Sequence, residues 1–199
     1  AVAEKEVRVM AMPSNKPGIK YTYGDYLKWP CEERWEIIEG VPYCMVPSPS
    51  AEHQIIAGEI FRQLANYLID KACKVFTAPF DVRFPENDEP DEDIHTVVQP
   101  DITVICEKSG LDKRGYRGVP TLVAEILSPS TSKKDLNEKY NLYERFGVKE
   151  YWVVFPLDQV LNVYLLDEEG KYRQAGAYER NARVKTSIFE DLEIDLSLV

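Results

Sequence analysis

Thr121 to Phe155 constrains the fold more than any other stretch of this chain. It reads as strand, turn, helix, strand, and its first strand carries a charge where an apolar residue is expected. Thr121–Leu127 is a near-continuous apolar run, the pattern of a strand covered on both faces, and Glu125 interrupts it. An isolated buried carboxylate is costly, so Glu125 must be protonated, paired or bound to a cation. Ser128-Pro129-Ser130-Thr131 stops the strand, because proline cannot continue a central ladder. Thr131 or Ser132 can cap the helix that follows, and Asp135 favours its first turn. Leu136, Tyr140, Tyr143 and Phe146 recur at steps of three and four and predict its buried face. Lys139 falls on or beside that stripe, near the strand end that carries Glu125. Gly147 ends the helix as a C-terminal cap, and Glu150–Phe155 is the next strand.

The remainder of the chain supplies the partners. Tyr21–Trp29 predicts a short helix capped by Thr22 and closed by Pro30. Arg34–Gly40 and Val41–Val46 are β-rich and meet at Gly40, the pattern of a hairpin or bulged bend. There Trp35, Ile37 and Glu39 share one side, and Glu36 and Ile38 the other, which puts Glu39 behind two apolar residues on a candidate inward face. Pro47-Ser48-Pro49-Ser50 is a turn before the longest helix, about residues 50 to 72. Its stripe is Ile56, Ile60, Leu64 and Leu68, widened by Phe61 and Tyr67, with His53 in the first turn. Short strands are expected at Val75–Ala78 and Asp81–Phe84. Val97–Cys106 reads as a further strand whose regular part opens at Asp101, because Pro100 withholds a ladder donor. Glu107–Gly118 is a turn-rich basic connection. Leu161–Leu166, Tyr172–Ala177, Arg183–Thr186 and Leu192–Val199 alternate like a meander.

Composition narrows the class. A chain of 199 residues holds one domain with a real core, and no apolar run reaches membrane-spanning length. Residues 1–20 read as a partly mobile arm and 21–199 as a single domain. Cys31, Cys44, Cys73 and Cys106 are far apart, without a C-x-x-C pair or an export signal, so reduced thiols and a cytoplasmic protein are expected. The net charge of −10 counts against a general nucleic-acid binder. Six of the acids lie in Glu86–Asp93, however, a segment expected to be a solvated loop. It lacks the glycine and ligand spacing of a calcium loop. His95, beside it, is expected at the surface.

Asp101 and Glu125 lie on two strands joined by a polar excursion, so they can be neighbours in one sheet. Two close carboxylates call for a cation, and Mg2+ suits them: it takes one or two carboxylates, keeps waters and accepts phosphate oxygens. A lysine beside such a site can orient an attacking water and offset charge on phosphorus. Each residue also has a plainer role. The acids could bond backbone amides or an arginine, Lys139 could form a surface pair with Asp135, and Glu39 could be solvated. His53 could serve only its helix terminus.

Pro100-Asp101 followed by Glu125-Ile126-Leu127 resembles the core of the PD-(D/E)XK nuclease superfamily. A wider set resembles its "putative restriction endonuclease" family: Trp35 to Gly40, Ser48-Pro49-Ser50 with His53-Gln54, Glu125 to Thr131, Asp135 with Lys139, and Gly147 to Trp152. The resemblance spans roughly residues 20 to 165, and it rests on order and spacing, since a bare P-D or E-x-L is common. It implies an α/β (α+β) fold: a restriction-endonuclease-like core with a mixed β-sheet flanked by helices, and additional antiparallel strands. It also implies Asp101 and Glu125 as metal ligands, Glu39 as an accessory acid, and Mg2+-dependent hydrolysis of DNA, with Mn2+ as a substitute. One departure stands out: Leu127 occupies the position of the expected lysine, and Lys139 on the following helix is the substitute.

The function expected is a metal-dependent endonuclease with catalytic residues Asp101, Glu125, Lys139 and Glu39, and with His53 and Asp135 as accessories. Lys108, Lys113, Arg114, Arg117, Lys133 and Lys134 are candidates to follow a DNA backbone, although such residues more often form a solvated turn. Alternating C-terminal strands could form an edge that pairs with a second copy, and a homodimer suits duplex DNA. The competing expectation is a non-catalytic interaction module on a nuclease-like scaffold, favoured by the acidic balance and by Leu127.

Overall fold

A computed structural model describes residues 13, 18–30, 33–45, 48–128 and 135–199. Most of the arm expected over 1–20 lies outside them, as do Lys133, Lys134 and the side chain of Asp135. The strands, in chain order, are β1 Trp35–Ile38, β2 Val41–Cys44, β3 Lys74–Thr77, β4 Val82–Arg83, β5 Val97–Val98, β6 Ile102–Ile105, β7 Leu111–Asp112, β8 Gly115–Arg117, β9 Leu122–Ile126, β10 Glu150–Phe155, β11 Val160–Leu166, β12 Tyr172–Glu179, β13 Arg183–Lys185 and β14 Glu193–Asp195. The α-helices are α1 Tyr23–Tyr26, α2 Ala51–Tyr67 and α3 Tyr140–Phe146, the last preceded by a π turn over Asp135–Lys139.

The expected mixed sheet is present as two six-stranded sheets. One has the order β2-β1-β5-β4-β8-β7, the other β12-β11-β10-β9-β6-β3. Each is mixed, with one parallel pair, β4 with β8 and β9 with β10. Parallel neighbours need a long crossover, and α3 lies in the segment that joins β9 to β10. The reading of Val97–Cys106 as one strand is corrected. Pro100 breaks it, so Val97 and Val98 pair in the first sheet and Ile102–Ile105 in the second. Asp101 stands at that change of sheet. The basic connection also contains a short hairpin, β7 with β8, that its turn-rich composition concealed. The expected C-terminal meander is corrected too: β12 stays with β11, while β13 and β14 form a separate two-stranded hairpin.

Each face has its own core. Ile56, Ile60, Leu64 and Leu68 of α2 pack on Ile102, Val104, Leu122, Ala124 and Ile126, along with Val184 and Ile194 of the C-terminal hairpin. The opposite face of the second sheet shares Val123, Leu127, Tyr151 and Val153 with Leu142 and Tyr143 of α3 and with Ile38, Val82 and Val98 of the first sheet. Trp35, Ile37 and Val97 turn the other way, onto Tyr23 and Trp29 beside α1. Because Leu64 is wholly buried, its truncation to alanine would cost about 2–5 kcal/mol. Helix α2 stops near Leu68, short of residue 72, and Asp70 takes a left-handed conformation at φ 60°.

The expectation of reduced thiols is corrected for one pair. Cys73 and Cys106 are disulfide-bonded. They flank the β3–β6 ladder, in which Lys74 faces Ile105, so antiparallel pairing sets them opposite each other across 33 residues of sequence. Cys44 is a free thiol at the surface. Among the described residues, no helix is long and apolar enough to cross a membrane.

Candidate active site

Glu125 lies near the end of β9, its side chain on the α3 side of the sheet. It is 3% exposed. Lys139 closes the π turn and is 1% exposed, and its Nζ donates to Glu125 Oε1 at 2.7 Å. Lys139, Leu142 and Tyr143 form the inward face here, while Tyr140 and Phe146 are half-buried against the same core. The Tyr143 hydroxyl donates to the same Glu125 oxygen at 2.7 Å. Burial, then the charges of Glu125 and Glu36, hold that hydroxyl well above the ordinary tyrosine range, so it stays protonated as a donor. Leu127 packs into the apolar layer with Ile38 and Val123. A lysine there would enter that layer, and the ammonium arrives from the following helix instead.

The third side chain at this point is Glu36. It comes from β1 in the other sheet, is fully buried, and lies 3.0 Å from Lys139 Nζ through Oε1. The Gln99 backbone amide donates to the same oxygen at 2.8 Å. The placement of Glu39 is corrected accordingly. Glu39 and Gly40 form the β1–β2 turn, both at positive φ (51° and 80°), as a two-residue hairpin requires. The Glu39 side chain is exposed and pairs with Arg145 at 3.0 Å. Alternation put Glu39 on the face of Trp35 and Ile37, and that face turns to α1, away from Lys139. Glu36 carried the same signal as Glu125, an acid inside an apolar strand.

Asp101 precedes β6, and Ile102 faces Ala124, so Asp101 borders Glu125 across the ladder. Its Oδ2 accepts from the Ile126 amide at 2.8 Å and lies 3.1 Å from His53 Nε2. His53 is buried in the first turn of α2, where Ser50 caps its backbone amide at 3.2 Å. It therefore serves both its helix terminus and Asp101. Among the described residues, no group of three or more His, Cys, Asp or Glu is gathered closely enough to hold a metal alone.

The basic candidates lie elsewhere. Lys108, Lys113 and Arg114 are exposed in the β6–β8 region, and Arg117 is half-buried. The last two meet carboxylates of the acidic segment: Arg117 Nε is 3.3 Å from Asp91, and Arg114 is 3.6 Å from Glu92. His95 is exposed as expected, with Nδ1 on the Tyr21 carbonyl at 2.9 Å.

Two acidic strands and a lysine-bearing helix around a mixed sheet define a protein of the restriction-endonuclease-like class. Over residues 23–197 the chain matches the Uma2 family, described as "Putative restriction endonuclease", and it belongs to that family. An uncharacterized protein of Synechocystis sp. is 23% identical over 167 residues, covering 82% of this chain and 84% of its own. The crystal structure of "a putative nuclease belonging to DUF820" from Anabaena variabilis superposes with a TM-score of 0.69 at 21% identity, covering 88% of this chain and 95% of the other.

Proposed function

We propose that this protein is a Mg2+-dependent DNA endonuclease. The observation that carries the proposal is the meeting of Glu36, Glu125 and Lys139 at one buried point, with Asp101 beside it. Carboxylates drawn this close together out of water favour cations around them, and the strand register sets Asp101 beside Glu125. Asp101 and Glu125 are the residues that would hold the metal. A set of two carboxylates leaves positions for water and phosphate oxygens, which is the habit of Mg2+. Bound there, the ion would supply Lewis acidity and a more acidic water.

The protein's own groups divide the remaining work. The Ile126 amide and His53 fix the Asp101 carboxylate, and Tyr143 and Lys139 fix that of Glu125. Lys139 supplies a positive charge to offset that developing on a phosphoryl group and to orient an attacking water. Glu36, held by the Gln99 amide, keeps the ammonium in place. Strand β12 lies at the edge of its sheet, and two-fold pairing of that edge would give a homodimer suited to duplex DNA.

One observation favours a second reading. Lys139 sits enclosed between two carboxylates, which is also the form of a closed structural ion pair, as in a non-catalytic interaction module. The deciding experiment offers duplex, single-stranded and branched DNA, and RNA, with Mg2+, Mn2+ or chelator. Metal-dependent cleavage is expected, lost on the order of 10³-fold in Glu125→Ala. Undiminished cleavage by a folded Glu125→Ala variant, or none of any substrate by the native protein, would overturn the nuclease proposal.

A further inference from the structure

The acidic segment Glu86–Asp93 is largely exposed, as a solvated loop would be, and several of its groups meet three arginines. Arg145 of α3 is shared between Glu86 of this segment at 3.3 Å and Glu39 of the β1–β2 turn at 3.0 Å. Arg117 of β8 donates to the Glu89 carbonyl at 2.7 Å and approaches Asp91 at 3.3 Å. Arg114, in the β7–β8 turn, lies 3.6 Å from Glu92 and 4.0 Å from Asp91. The segment is shaped for this contact. The Glu89 carboxylate accepts from the Glu86 and Asn87 amides at 2.9 and 2.7 Å, and Asp91–Asp93 forms a 3-10 turn. Asp91 is anchored from beneath by the buried Arg83, which stays inside the fold.

We propose that Arg114, Arg117 and Arg145 form a surface for a phosphodiester backbone, covered in this state by the protein's own carboxylates. The identity of the partner rests on the nuclease proposal; the covering does not. Guanidinium groups match phosphate oxygens in geometry as well as charge, and an acidic chain that handles nucleic acid needs such a local surface. Arg145 follows Lys139 by six residues, about 9 Å of helical rise, and lies on the exposed side of the helix. The cover is held loosely. Arg114, Arg117 and Arg145 are all partly exposed, and ion pairs of that kind contribute about 0–1 kcal/mol each. A backbone that engages several at once can displace carboxylates that hold on one by one.

Binding of a labelled DNA duplex and of heparin, both in chelator, tests this. Glu86→Gln with Glu92→Gln, which leaves Arg145 with Glu39 and Arg114 with Asp91, should tighten both by about fivefold near 0.1 M salt and steepen the log–log salt dependence by about one. Adding Arg114→Ala and Arg145→Ala should abolish the gain. Glu168→Gln with Glu190→Gln changes net charge equally at exposed positions elsewhere and should shift affinity less than twofold. Equal affinities for the two double variants would overturn the proposal. The outcomes separate from the nuclease question: tighter heparin binding without metal-dependent cleavage keeps the covered surface and removes the nuclease. Cleavage with unchanged affinity does the reverse.

Discussion

Lys139 and Arg83 are both withdrawn from solvent, and each stands between two carboxylates, but the two sites are built differently. The partners of Arg83 are Asp91 and Asp112, whose side chains remain 19% and 45% exposed. Only the guanidinium is fully desolvated there; it is the more weakly hydrated kind of cation, and it lies over the Tyr23 ring at 5.2 Å. Around Lys139 the acids are buried too, they come from two different sheets, and the cation is a compact, strongly hydrated ammonium. A buried ion cluster of that kind costs more in desolvation than its attractions readily return. At the arginine site the acids keep contact with water, and the guanidinium Nε is buried without a hydrogen-bond partner among the described residues. The lysine site gathers two carboxylates and an ammonium in the interior, and the proposed function gives that arrangement a use.

The largest expected effect separates the two sites. Glu125→Gln keeps the shape and an acceptor for Tyr143 but loses the charge. Metal-dependent cleavage should fall on the order of 10³-fold and Mn2+ binding should vanish, with thermal stability changed by only about 1 kcal/mol. Arg83→Met should do the opposite. Removing one partner of a buried pair costs about 3–5 kcal/mol, roughly 10 °C in melting temperature here, and Mn2+ affinity should be unchanged. Calorimetric titration and thermal melts on both variants measure this. If both lose stability alike and metal affinity alike, the distinction between the sites is wrong.

The same contrast explains what could be read in the chain beforehand. The β9–α3–β10 unit was legible because apolar runs, a proline stop and Gly147 all agree locally. Glu125 and Lys139 were legible as a charge in an apolar run and a register position on a helix. Glu36 was passed over for Glu39 because alternation gives two faces without saying which one meets the helix. Only the structure separates the two: Glu36 is buried with the rest of β1, and Glu39 is exposed in the turn that follows. The split of Val97–Cys106 between sheets, the Cys73–Cys106 bond and the docking of the acidic segment on its arginines all depend on pairings across dozens of residues, beyond the reach of periodicity.

A middle-sized effect refines the lysine side. Tyr143→Phe removes one donor to Glu125 without opening a cavity, which should cost about 1–2 kcal/mol and lower cleavage about tenfold. Thermal melts and cleavage rates measure the two effects, and an unchanged rate would assign Tyr143 to packing alone.

The smallest effect refines the arginine side. Burial alone would raise the Asp112 carboxyl, but the Arg83 hydrogen bond and the Arg114 amide outweigh it and hold the group below its ordinary 3.8. A folded-state pKa depressed below the unfolded one contributes stability that is complete above the unfolded pKa and lost as pH falls through the folded one. Asp112→Asn should therefore flatten the acid limb of the stability curve below about pH 4 and leave its shape between about pH 6 and 8 unchanged. Urea unfolding as a function of pH measures this. Because Asp112 is nearly half exposed, water screens the pair and the change should be slight. Metal-dependent cleavage over the same pH range should not follow it, since Asp112 borders Arg83 and Arg114 rather than Glu125. A shift in the cleavage profile with this substitution would mean that the two buried cations act on one another, and that the arginine site is more than a staple.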